Sequence, residues 1–182
     1  MMLRRYAMMA AQKVDLLEGY RLNHNSGYRV NVSWKDNNTL RAWHTTSGFM
    51  GPNYAAVCFI GNKTNASTGY GAALLGVGSA LTTLEYGKKY KLTLTVLEIT
   101  KNTATTDNDG NLKVALGRGG GSTTSYATYT TIKFSELEVG TKIEVIKAHS
   151  NTTYPITSAC IEVSNSALLW DITFKVEFEE VK

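Results

Sequence analysis

Histidine, cysteine, carboxylate and aromatic side chains are the ones able to do chemistry here, and their spacing is the first thing to test. The three histidines, His24, His44 and His149, stand at no motif spacing from a Ser or Cys nucleophile or from an orienting carboxylate. A glycosidase needs two carboxyl groups facing each other across a cleft. Asp36, Asp107, Asp109 and Asp171 are the candidates, and no two form a local motif of that kind. Asp107, Asp109 and Asn111 alternate in a way that could array oxygens around Ca2+. In an EF-hand loop the glycine follows the third ligand, whereas Gly110 precedes Asn111, so the segment reads as a tight hairpin turn. The run Gly117 to Gly121, with Arg118 inside it, lacks the Gly-Lys-Ser/Thr ending and following helix of a phosphate loop. It reads as a flexible loop whose arginine could touch a partner. No Cys/His spacing suits zinc. The chain is therefore read as a non-enzyme with no metal and no cofactor.

Trp43, His44, Tyr54, Tyr126 and Tyr129 are the candidates for a glycan platform, because an aromatic face stacks on sugar C–H groups while neighbouring Asn, Thr and His bond the hydroxyls. Against this, aromatics on strands usually pack inward. The two cysteines, Cys58 and Cys160, each lie in an apolar stretch. A disulfide between them is geometrically possible, but the reading adopted is two free, buried thiols.

The elements that must position these residues are strands. From Tyr28 onward the hydrophobic period is two: Tyr28, Val30, Val32 and Trp34 alternate with Arg29, Asn31 and Ser33. A turn at Lys35 to Asn38 leads to a return strand over Leu40 to His44. Tyr54 to Ile60 is a continuous apolar run, as expected for a strand covered on both faces. Strands are expected at Lys89 to Ile99, from Leu112 to Leu116, and over Tyr126 to Phe134, Lys142 to Ala148 and Ile156 to Val163. In the last, Leu169 to Val181, Trp170, Ile172, Phe174, Val176 and Phe178 alternate with polar residues. About nine strands with no internal helix argue for two packed antiparallel sheets, an all-β sandwich or jelly roll.

Length and charge narrow the field. The 182 residues, 43% of them hydrophobic, suit one domain with an ordinary core. The net charge of +4 is modest and dispersed, which tells against direct nucleic-acid binding. No apolar run is long enough for a secretory core or a membrane span. Residues 1–20 read as an N-terminal arm, possible helix over Met2 to Glu18 ending at Gly19, and residues 21–182 as the β domain. Met2, Leu3, Met8, Met9, Leu16 and Leu17 give the arm adaptable apolar groups for docking on a partner.

One internal echo stands out. Leu84-Glu85-Tyr86-Gly87-Lys88-Lys89-Tyr90 and Leu137-Glu138-Val139-Gly140-Thr141-Lys142-Ile143 share Leu-Glu-x-Gly-x-Lys before an apolar residue that opens a strand, suggesting two related hairpin corners. These turns, with the strand Lys91 to Leu94 and the closing strand of alternating aromatics, resemble the carbohydrate-binding-module-like jelly rolls common in bacteriophage virion proteins. The resemblance covers Tyr28 to Val181 in pattern and carries over no family site. It implies a non-catalytic virion structural protein (capsid decoration, head-fibre or tail-associated), made in the host cytoplasm, docked on other virion proteins and on copies of itself. The alternative is a glycan-binding module of a bacterial surface or secreted system.

Overall fold

A computed structural model of the protein describes residues 14–24, 30–44, 55–61, 68–69, 72–73, 79–101, 110–117, 128–151, 155–164 and 170–182. The period-two segments become strands close to where their patterning puts them. These are β1 (Asn31–Trp34), β2 (Thr39–His44), β3 (Ala55–Gly61), β4 (Thr68–Gly69), β5 (Ala72–Ala73), β6 (Lys89–Lys101), β7 (Asn111–Gly117), β8 (Thr128–Lys133), β9 (Lys142–Ala148), β10 (Ser158–Ser164) and β11 (Trp170–Val181). Among the described residues the only helical turn is a 310 turn at Phe134–Glu136. None of the described helix is long and apolar enough to cross a membrane.

Two antiparallel sheets pack face to face. One runs β1-β2-β11-β6-β9, the other β3-β10-β7-β8, and β4-β5 form a two-stranded ribbon. With β1 and that ribbon set aside, the eight remaining strands, counted along the chain, lie in the order first-eighth-third-sixth and second-seventh-fourth-fifth. That is the jelly-roll order, so the all-β sandwich expected from patterning is the architecture found.

β6 and β11 form the central ladder, from Lys89↔Val181 to Lys101↔Trp170. Their inward residues Tyr90, Leu92, Leu94, Val96, Trp170, Ile172, Phe174 and Val176 are all buried, as alternation requires. The ladder shifts register beside Phe174, leaving Leu97 without a partner and 42% exposed. Facing them, Val57, Phe59, Leu112, Val114, Leu116, Ile161 and Val163 complete the same core.

The Asp107 to Asn111 hairpin needs correction. β6 and β7 lie in different sheets, so the connection between them is an arch from one sheet to the other, with Asp107 to Asp109 outside the described residues. The echoed turns are likewise arches: each delivers the chain into one of the paired strands β6 and β9. Gly87 and Gly140 have φ of 85° and 92°, where a Cβ is strained. The Gly87 N–H donates to His149 O and the Gly140 N–H to Val96 O, both at 2.8 Å. Leu84 and Leu137, at matching positions, are buried.

Residues 14–24 close one side of the sandwich. Leu22 N–H donates to Phe59 O and Gly61 N–H to Tyr20 O, both at 2.9 Å, joining the segment to β3. His24 and Val32 exchange backbone bonds of 2.8 and 2.9 Å, joining it to β1 in the other sheet. Leu17 is buried in the main core, with Leu16 packed against it. The described part of the expected arm, residues 14–20, is thus folded into the domain.

Candidate functional site

The glycan candidates do not converge. Trp43 points outward from β2 on the five-stranded sheet, half-buried, with the Arg41 guanidinium 4.6 Å above its ring. Arg41 is fixed in turn by Asp171 on β11, at 2.6 to 3.1 Å. Tyr129 lies on β8 of the other sheet, 49% exposed, with Lys113 Nζ 4.8 Å from its ring centre. Lys113 also pairs with the buried Glu162 at 2.8 Å. The two rings therefore belong to opposite sheets of the sandwich, and each is faced by a cation of its own strand neighbourhood. His44 is buried on the inner face, stacked with Trp170 at 6.4 Å. Tyr54 and Tyr126 lie outside the described residues.

The described carboxylate candidates, Asp36 and Asp171, are committed to structure. Asp36 accepts the Asn38 N–H at 2.7 Å, and this bond leads the effects that hold its pKa below the usual carboxylate value. Asp171 is held by Arg41; Asp107 and Asp109 lie outside the described residues. No group of three or more His, Cys, Asp or Glu able to hold a metal occurs among the described residues. His149 is buried, its Nδ1 accepting the Ile156 N–H at 3.0 Å and its ring stacked on Tyr86 at 4.7 Å. Burial pushes its pKa down.

Of the docking candidates, Met2, Leu3, Met8 and Met9 lie outside the described residues. Leu17 is buried in the domain's own core with Leu16 packed, partly buried, against it, and Leu16 O accepts Thr83 Oγ1 at 2.7 Å. What stands at this end instead is a built edge. Arg21 donates to both oxygens of Asp15 at 2.9 Å and to Asn37 O at 2.8 and 3.1 Å, and stacks 5.2 Å over Trp34. The Arg21 hydrogen bonds are the main reason the Asp15 carboxyl is held below its ordinary pKa. Trp34 Nε1 donates to Phe59 O at 2.9 Å, so one carbonyl of β3 takes bonds from both neighbours.

The cysteines are the second correction. Cys58 and Cys160 are joined in a disulfide, on strands β3 and β10 where they face each other directly. The register shifts beside them, leaving Phe59 unpaired, so Phe59 and Ile60 both reach the core while Cys58 faces out. Leu22 lies over the pair, and the three form an apolar cluster of their own.

No family model, curated protein or solved structure matches the chain. The site must therefore be read from its own geometry.

Sequence reading missed the Asp15–Arg21 pair and the Leu22 cover, and it ranked the disulfide below free thiols. One usable signal existed. Tyr20, Leu22 and His24 alternate, continuing the period of two upstream of Tyr28.

Proposed function

We propose that the chain is a non-catalytic structural component of a bacteriophage virion, a decoration, head-fibre or tail-associated protein held to other subunits by residues 1–13. The observation that carries this reading is the fixed N-terminal segment. Because Tyr20, Leu22 and His24 are bonded to the two sheets and Leu17 is buried in the core, Val14 has a fixed, exposed place on the domain, a defined attachment point for a tether. Two further features support it. Jelly rolls recur in capsid and lectin domains, and disulfides persist on virion and cell surfaces and in secreted proteins.

The test is removal of residues 1–13, not 1–17, since a longer cut would also delete Leu17 from the core. The truncated domain should keep its Tm and fail to enter particles. Normal incorporation overturns the tether. The half-exposed Tyr129 ring favours a second reading, a glycan-binding module. A glycan array in which Tyr129→Ala abolishes a positive signal would establish that reading in its place.

A further inference from the structure

The disulfide and the N-terminal segment protect each other. β3 is an outermost strand, hydrogen-bonded to β10 on one side and to residues 20–22 on the other. Its two bonds to that segment, at Phe59 O and Gly61 N, straddle Ile60 beside the register shift. A ladder is weakest where its register shifts, and there the Cys58–Cys160 bond ties β3 to β10. Leu22, held in place by one of those same bonds, covers the sulfurs: Cys58 is fully buried and Cys160 is 8% exposed. Opening the segment uncovers the bond, and cutting the bond frees the strand to which the segment is fastened. Such coupling runs equally in both directions.

We propose that Cys58–Cys160 is a redox latch on residues 14–24, closed when oxidised and opened by a dithiol reductant. One reductant thiolate attacks the sulfur of Cys160, the more exposed residue of the two. The S–S bond breaks, and Cys58 leaves as a thiolate and takes a proton. The second reductant thiol then attacks the mixed disulfide, so the reductant departs as its own disulfide and Cys160 is released and protonated. Two electrons pass from the dithiol to the cysteine pair. β3 then keeps its shifted ladder and its core residues Val57, Phe59 and Ile60 but loses its covalent tie to β10, so residues 14–24 are fastened to a looser rail. The proposal stands independently of the virion reading.

Hydrogen exchange on the full chain, before and after dithiothreitol, tests it. Reduction should lower protection at the Leu22 and Gly61 amides roughly tenfold or more, while Val96 and Val176, bonded elsewhere in the core, keep theirs. Unchanged protection at Leu22 and Gly61 overturns the latch. So does equal loss at all four amides, which would make the bond a staple of the whole fold. Leu22→Ala, with both cysteines intact, provides the reciprocal measurement. Its disulfide should be reduced roughly tenfold faster than in the unaltered chain, and an equal rate refutes the coupling.

Discussion

The two sides of this sandwich solve one problem in different ways. A strand at the margin of a sheet offers unpaired N–H and C=O groups to any passing chain. On the β1/β3 side the protein covers them with its own residues 20–24, bonded to both sheets and braced by Asp15, Arg21 and Trp34. On the β8/β9 side Thr130 Oγ1 donates across the sheets to Glu144 O at 2.6 Å. There Lys133, Lys142 and Lys147 have no acidic partner among the described residues. Unpaired lysines along a margin repel an incoming strand. Covering a margin fixes its geometry, whereas charging it only discourages company.

The largest expected effect belongs to neither side. Phe174 fills the core between the sheets, and Phe174→Ala should cost about 3–5 kcal/mol. In urea titrations both margins should melt in one transition; separate transitions would mean that the sides are not one cooperative unit. Next comes Arg21→Ala, which removes the Asp15 pair, the Asn37 bonds and the cover on Trp34, and should cost about 1–3 kcal/mol with a change in Trp34 fluorescence. An unaltered Tm would reduce the sealed side to the disulfide and backbone bonds alone.

Acid should act on both sides in the same range below pH 6.5, and on the sealed side again where Asp15 takes up its proton. His24 in the sealing segment and His149 beyond the end of β9 both have pKa values depressed from 6.5 by burial. In each case the unfolded chain binds the proton more readily, so the contribution is complete above pH 6.5 and is lost as pH falls through the folded value. Asp15, depressed from 3.8, holds its contribution until pH falls below that value. His149→Phe should flatten the dependence of Tm on pH just below 6.5; an unchanged slope would leave His24 as its source. The smallest stability effect is expected for Lys133→Val combined with Lys142→Val. Tm should barely move, while size-exclusion profiles should show self-association if charge is what guards that side.

Alternation exposed the wall of the molecule to sequence reading and left its seams hidden. The inward sets on β6 and β11 could be read from period two because burial selects every second residue. The Gly87 and Gly140 turns could be read because they need positive φ. Sheet neighbours could not, since a strand's own pattern does not say which strand lies beside it. That is why a separation of 102 residues hides the pairing of Cys58 with Cys160. It is also why Trp43 and Tyr129 were grouped on one platform, and why Asp109-Gly110 passed for a hairpin when the next strand lies in the other sheet.

The matching arches Leu81 to Tyr90 and Phe134 to Ile143 share one plan. Each begins with a buried apolar residue whose carbonyl accepts from the buried leucine three positions on, at 3.1 and 3.2 Å. Each then sends one residue, Tyr86 or Val139, well into solvent, 55% and 65% exposed. Because β6 and β9 run antiparallel, these tips mark opposite ends of one ribbon, about 30 Å apart at ~3.3 Å per residue. A peptide inserted at both tips would be displayed as a pair at fixed spacing on a rigid ruler.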